Sequence, residues 1–317
     1  MCEVTVVIPN YNGQKYLLPC LRALYESSNV EMHVIVVDNG SEDQSITDAK
    51  ELFPQVNYIL LDRNYGFCRA VNVGIRTADT EYVLLLNNDT EVCVGFVEKL
   101  LRRIKRNPLI FSVEAKMLQY GNHELIDSAG TYYDALGWAF ARGKDASVRK
   151  YNRQCRTFAA CAGAAIYRKA VFEEIGYFDE KHFAYLEDID IGYRARIYGY
   201  INLYEPKAQV IHVGSAASGS RYNEFKTRYS VRNNIYLIYK NMPVWQIVLN
   251  LPFLMIGFFI KALFFWKKGL GSVYLKSLKD GFAICDAGNK VIYDRSRLKN
   301  YLRIQAELWI NVARRLS

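Results

Sequence analysis

A chain of 317 residues with 51% hydrophobic and 23% charged side chains has enough apolar surface to fold, which excludes a disordered protein; 20 Gly and 7 Pro exclude a collagen-like or Pro-rich one. The net charge of +9 is uneven: residues 1–240 carry 29 Lys+Arg against 28 Asp+Glu, and residues 241–317 carry 12 against 4. A near-neutral body followed by a basic, aromatic tail points to an anionic surface, either nucleic acid or an acidic lipid leaflet, or else to a solvated basic face.

The N-terminus, MCEVTVVIPNYNG, enters a strand pattern with no basic segment before it and is not expected to be a secretory signal. Val4–Ile8 is an apolar strand, and Gln14–Ser27 has leucines at helical spacing. Met32–Val37 is a second strand ending at Asp38; Ser41 is expected to cap a helix reaching about Phe53, which Pro54 stops. Val56–Leu61 is a strand, Phe67–Arg76 a helix, Tyr82–Leu86 a strand ending in Asn87-Asn88-Asp89, and Val94–Arg106 a helix. Unbroken apolar strands alternating with helices predict a parallel α/β sheet covered on both faces, with ligands beyond the carboxyl ends of the strands. From about residue 110 this rhythm is lost, although a helix at Lys169–Ile175, another opened by Glu187–Asp190, and a short strand at Val210–Val213 before a Gly/Ser/Ala loop at 214–220 are expected. Val244–Trp266 is long and apolar enough to span a bilayer, but contains Gln246, Asn250, Pro252 and Lys261; an interfacial helix is favoured over a span, with packing in a subunit interface as the other use. The seven cysteines, Cys2, Cys20, Cys68, Cys93, Cys155, Cys161 and Cys285, contain no C-x-x-C pair, so neither a disulfide framework nor a zinc ribbon is indicated.

Two acidic clusters carry candidate chemistry. Asp89, after a strand, is a candidate ligand for Mg²⁺ or Mn²⁺ shared with substrate phosphates, or a simple turn residue. Glu187-Asp188-Ile189-Asp190 crowds three carboxylates beside aromatics, which raises carboxyl pKa values and suits a general base; the alternative is an acidic first helical turn, with Arg194 forming an i,i+4 pair to Asp190. His212, at a strand end, is a further candidate metal ligand or a core histidine.

In chain order VIPNYNG, VVDNGSED, RNYGFCRAVNVGI, LLLNNDT, AGAAIYRKAVFEEIGYFDE, AYLEDIDIGYRARIYG and VIHVGSAASG resemble the family 2 glycosyltransferases of GT-A fold over residues 3–240. LIDSAGTYYDALGWAFARG and the Arg-Asn-Asn run ending at 234 are similar to bacterial dTDP-rhamnosyltransferases. The resemblance implies a GT-A type, Rossmann-like, mostly parallel sheet in a catalytic domain over 1–240, with a nucleotide-binding half over 1–110 and an acceptor-binding half over 111–240. A helical tail, 241–317, would associate with membrane or another copy.

By the same resemblance, Pro9 and Tyr11 border the base, and Asp38 accepts from a pyrimidine ring N–H. Asp62, Asn64, Gly66 and Asn72 line the nucleotide pocket, and Asn88 faces the ribose. Asp89, helped by His212, holds Mg²⁺ or Mn²⁺, because Asn87 replaces the first acid of the family's Asp-x-Asp motif. Asp188 is the base; Gly163, Ala164, Glu187 and Arg194 lie on the acceptor side. The expected reaction is inverting transfer of a sugar, L-rhamnose first, from a pyrimidine nucleoside diphosphate to a lipid-linked or saccharide hydroxyl. It would serve cell-surface polysaccharide synthesis at the cytoplasmic face of a bacterial membrane.

A UDP-hexose transferase of the same fold and a non-catalytic sugar-nucleotide-binding relative are the alternatives. An NAD enzyme is disfavoured because the first turn, P-N-Y-N-G, is not G-x-G-x-x-G. Nucleic acid is disfavoured because the tail's basic residues interleave with an apolar stretch that suits lipid.

Overall fold

The computed structural model describes residues 2–214 and 223–316. The elements run β1 (Val4–Asn10), α1 (Leu17–Ser27), β2 (Met32–Asp38), α2 (Ser45–Leu52), β3 (Asn57–Leu60), α3 (Phe67–Thr77), β4 (Tyr82–Leu86), β5 (Thr90–Val92) and α4 (Phe96–Ile104). Then follow β6 (Ile110–Gln119), β7 (Asn122–Ser128), β8 (Thr131–Tyr133), β9 (Ala139–Ala141), β10 (Cys155–Thr157), β11 (Ala164–Arg168), α5 (Lys169–Ile175), α6 (Glu187–Ile197) and β12 (Ile201–His212). Four helices close the chain: α7 (Glu224–Asn241), α8 (Val244–Lys267), α9 (Gly271–Ala283) and α10 (Leu298–Leu316).

The main sheet has the order β10-β12-β6-β11-β4-β1-β2-β3, with β5 added on β12 and β7 on β6. β1 pairs in parallel with both β2 and β4, β2 with β3, and β12 with β6. β11 is antiparallel to both of its neighbours, so it joins the two parallel halves into one sheet. Side chains alternate across the pleat. Val4, Val6 and Ile8 of β1 pack with Leu17 and Leu21 of α1 and Val97 and Leu100 of α4, while Val7 packs on the other face with Val71 and Ile75 of α3 and Phe172 of α5. This is the expected α/β architecture with helices on both faces.

Two local expectations are corrected. Ser41 is not a helix cap: its hydroxyl donates to Asp38 at 2.5 Å, and α2 starts at Ser45. The short strand at Val210–Val213 is the end of the 12-residue β12, whose register shifts between Glu205 and Gln209, around Pro206. A proline that cannot donate to the ladder is accommodated at such a bulge. From residue 215 on, the loop expected at 214–220 lies outside the described residues.

The tail shares the body's core. Tyr301, Ile304 and Leu308 of α10 lie in one buried cluster with Tyr133, Phe158 and Tyr193.

Candidate active site

Parallel pairing brings the carboxyl ends of β1, β2, β3 and β4 to one edge, and most of the predicted nucleotide residues gather there. Their organiser is Asn10, which is 1% exposed. Its Nδ2 donates to Asp38 Oδ1 at 2.9 Å and Ser45 Oγ at 3.0 Å, and its Oδ1 accepts from Asn88 Nδ2 at 2.7 Å. Gly13 leaves room for this knot: a Cβ there would fall 2.1 Å from Asn10 Oδ1 and 2.3 Å from Asn88 Nδ2. Asp38, also buried, accepts from the Ser41 backbone N–H at 3.0 Å. Pro9 is half-buried, and Tyr11 stands 41% exposed at the rim. Asn64 Oδ1 accepts from Asn39 Nδ2 at 3.0 Å and from the Gly66 N–H at 2.9 Å, which shapes the turn into α3; Asp62 is exposed and accepts from the Tyr65 hydroxyl at 3.0 Å.

A second cluster forms where β4 hands over to β5. β5 pairs with β12 so that Thr90 faces His212, and the Val213 N–H donates to the Asp89 carbonyl at 3.0 Å. His212 Nε2 therefore lies 3.5 Å from Asp89 Oδ1, while its Nδ1 is 2.9 Å from Asp127 Oδ2 on β7. Lys144 Nζ sits 2.6 Å from the other Asp127 oxygen. Burial works against a charged imidazole here, but the hydrogen bonds and charges of Asp127 and Asp89 prevail and push His212 up to about 9. Burial likewise opposes the Asp127 carboxylate, yet His212 and Lys144 hold it down at about 2.

The third cluster heads α6. Phe183, Tyr185 and Leu186, just before Glu187, have φ of 61°, 71° and 66°. Left-handed backbone at non-glycine residues costs about 1–3 kcal/mol each, so the surroundings must hold it. The Arg-Asn run on α7 does so: Asn233 Nδ2 lies 2.8, 2.8 and 2.7 Å from the carbonyls of His182, Ala184 and Tyr185, and Arg232 Nη2 donates to the Lys181 carbonyl at 2.6 Å. Asp188 Oδ1 accepts from the Ile189 N–H at 2.7 Å, and Glu187 Oε2 is buried without a hydrogen-bond partner. Burial lifts both carboxyls above the ordinary range, and the neighbouring Asp188 charge lifts Glu187 further. Buried Asp190 behaves oppositely: Arg194, Lys240 and Asn241 donate to it at 2.7, 3.0 and 2.8 Å, and against the pull of burial the two cations and the carboxamide hydrogen bond hold its carboxyl far below the usual range. The clusters meet through the segment before β11: burial and then the Asp188 charge raise the Cys161 thiol, and Gly163, two residues on, accepts at its carbonyl from the Asn87 N–H at 2.9 Å.

Four residues assigned by resemblance sit elsewhere than expected. Asn72 is 1% exposed, and its carboxamide donates to the Phe178 carbonyl at 2.8 Å and accepts from the Phe178 N–H at 3.1 Å, so it clamps the fold. Gly66 makes its close approach to protein: a Cβ would lie 2.6 Å from the Phe183 carbonyl oxygen. Ala164 is fully buried in β11 opposite Leu86. Arg194 is buried, its guanidinium spent on Asp190 and the carbonyls of Ile175, Gly176 and Tyr177.

Asn10, Asn39, Asp127 and Asn233 are given no individual role in the sequence reading, although all four lie inside stretches it singles out. That reading sets Phe183 and Tyr185 beside the carboxylates but does not include Phe225 and Tyr229, which join them in one aromatic group where Phe183 stacks on Tyr229 at 5.0 Å. A cavity of about 970 Å³ borders the third cluster through Arg194 and Lys240 and shares only Asn72 and Arg194 with the predicted set. Lys240 and Arg194 are already paired with Asp179 and Asp190.

A sheet of this order, with its polar residues collected at the carboxyl edge and an acid-led helix facing them, defines a GT-A type glycosyltransferase architecture. The chain belongs to glycosyl transferase family 2, whose model matches residues 5–176. It is similar to an N-acetylglucosaminyl-diphospho-decaprenol L-rhamnosyltransferase of Mycobacterium tuberculosis, with 24% identity over 263 residues, 76% of this chain and 86% of the relative. It is also similar to the glycosyltransferase GlyG of Streptococcus pneumoniae, with 27% identity over 57% of this chain and 60% of the relative. Among solved structures, GalNAc-T7 with UDP, GalNAc and Mn²⁺ superposes with a TM-score of 0.61 at 16% identity, covering 75% of this chain and about half (48%) of that one. TarS of S. aureus in complex with UDP superposes with a TM-score of 0.52 at 19% identity, covering 76% and 67%. These likenesses establish the fold.

Proposed function

We propose that the protein is an inverting glycosyltransferase that moves L-rhamnose from a pyrimidine nucleoside diphosphate, dTDP first, to a hydroxyl of a lipid-linked saccharide. It would act in cell-surface polysaccharide assembly at the cytoplasmic face of the membrane. The observation that carries this reading is the head of α6, where a strained, clamped segment presents Asp188 with its carboxyl raised by burial. A carboxylate whose pKa is lifted toward neutrality is a better proton acceptor at physiological pH than an ordinary one. The named activity of the mycobacterial relative supports the sugar and the lipid diphosphate acceptor.

In the reaction Asp188 takes the proton from the acceptor hydroxyl as its oxygen bonds to the anomeric carbon. The bond from that carbon to the diphosphate oxygen breaks, and the nucleoside diphosphate leaves with the electron pair. One displacement inverts the configuration. Asp38 and Asn88, tied together through Asn10, orient the nucleoside; Glu187 and the neighbouring aromatic group of Phe183, Tyr185, Phe225 and Tyr229 meet the acceptor. Asp89 and His212 would hold Mg²⁺ or Mn²⁺, which would offset the charge developing on the leaving diphosphate. The pair fits a cation that shares its sphere with substrate phosphates provided the cation displaces the Nε2 proton that Asp89 and Asp127 hold on His212; the far nitrogen is fixed by Asp127, as for a metal-ligating imidazole. Among the described residues no group of three or more His, Cys, Asp or Glu is set to hold a metal by itself. A UDP-hexose donor is the second reading, since both solved neighbours named above carry UDP.

The test is turnover against a panel of dTDP-, UDP- and GDP-sugars with Mn²⁺, paired with calorimetric nucleotide binding. Asp188→Asn should lower transfer by about a hundred- to ten-thousandfold, the usual loss of a general base, with nucleotide affinity unchanged. A variant that retains most of its turnover assigns the base elsewhere.

A further inference from the structure

α8 is inside out for a helix of a water-soluble protein. Its residues run to a mean hydropathy of 2.1, yet only 17% of the apolar window is buried. The buried positions include Gln246, Asn250 and Gly257, while every exposed residue from Val244 to Trp266 is apolar. Val248, Met255, Phe259 and Trp266 are 63%, 65%, 64% and 72% exposed.

The polar side is docked along the whole helix. Gln246 Oε1 accepts from the Tyr193 hydroxyl at 2.6 Å, Asn250 exchanges hydrogen bonds with Gln305 at 2.7 and 2.8 Å, and the Gly257 carbonyl accepts from Trp138 Nε1 at 3.2 Å. Half-buried Lys261 lies over the Trp138 ring, and Phe265 stacks on Tyr274 of α9. A spanning helix must be enclosed by hydrocarbon over its length, and this one is attached to the protein body at every turn instead.

We propose that α8 lies in the plane of an anionic bilayer, its outer face immersed among the acyl chains and its inner face holding the rest of the protein on the surface. The face is about 36 Å long at the usual helical rise and its only exposed hydrogen-bonding side chain is Trp266 at one end, whereas protein interfaces carry about one hydrogen bond per 100–200 Å². Exposed Lys267, Lys276 and Lys279 flank it on α8 and α9. An isologous contact with a second copy would bring these charges together, whereas lipid phosphates neutralise them. This inference stands on α8 alone and does not depend on the proposed reaction.

The full-length protein should co-float with vesicles containing phosphatidylglycerol and, at least tenfold less, with phosphatidylcholine vesicles. Met255→Glu with Phe259→Glu should lower the vesicle-bound fraction at least tenfold while the protein keeps its nucleotide binding. Ala287→Cys, beside the N-terminal end of α8, and Lys268→Cys at its other end, made singly, should both be labelled above the parent's own cysteines by an impermeant maleimide added outside sealed vesicles. Labelling of only one of them means that the helix spans and overturns the proposal. So does a wild-type protein that fails to float and is a dimer in solution, made monomeric by the double substitution.

Discussion

Asn233 shows how much a single side chain can hold. Its carboxamide gathers three carbonyls of a segment that contains three left-handed non-glycine residues, and it is fully buried while doing so. Asn233→Ala leaves those carbonyls short of a donor, which should destabilise the fold by about 1–3 kcal/mol. Asp188 should lose its placement, so kcat should fall at least tenfold while the KM for the donor and nucleotide affinity hardly move, as steady-state kinetics and calorimetry would report. Next to it, His182 is completely buried with neither ring nitrogen hydrogen-bonded; burial, outweighing the pull of Asp190, lowers its pKa to about 4. Below its ordinary value of about 6.5 the unfolded chain binds a proton that the folded chain refuses. Stability should therefore rise with pH between about 4 and 6.5, by about 3 kcal/mol from this group. Melting temperature against pH should show that slope in the parent and a shallower one in His182→Phe.

At the scale of elements, the strands and helices of the first hundred residues were legible because apolar runs and helical spacing repeat there with little interruption. β4 and α5 have the bounds that the sequence predicts. β12 was read short because Glu205-Pro206-Lys207 interrupts its apolar pattern at a bulge that only the pairing with β6 explains. The candidate residues at strand ends were legible for the same reason as the strands. Asp127 was not: it meets His212 only through the β5–β12 and β6–β7 pairings, which no local pattern encodes. Asn72 and Arg194 carry the residue types of a polar site but are used to lock loops, a distinction that burial makes and spacing does not.

Helix α8 offers a test at this scale. A Cβ on Gly257 would lie 2.1 Å from the Leu136 carbonyl oxygen, and backbone cannot swing aside as a side chain can. Ala is favoured over Gly in a helix by about 1 kcal/mol, but overpacking costs about 1–3 kcal/mol, and the Trp138 hydrogen bond is strained as well. Gly257→Ala should lower stability by about 1–2 kcal/mol net, measured by denaturant unfolding.

For the molecule as a whole, a boundary near residue 240 separates a near-neutral part from a basic one but not two cores. Tyr301, Ile304 and Leu308 complete the cluster around Tyr193, Asn311 Nδ2 donates to the Tyr133 carbonyl at 2.8 Å, and Glu307 pairs with Arg196. Burying three such side chains contributes on the order of 5–9 kcal/mol, comparable with the entire stability of an ordinary domain. A chain ending at Asn241 should therefore fail to unfold cooperatively at the parent's melting temperature, as calorimetry would show.

The bond between Tyr193 and Gln246 has a mechanical consequence. α6 carries Asp188 at its head and, less than two turns on, is bolted to the helix with the bare apolar flank. The reach of the carboxylate from that flank is thus tied to one buried hydrogen bond between the two helices, so that an acceptor delivered at a fixed elevation would meet it at a set distance.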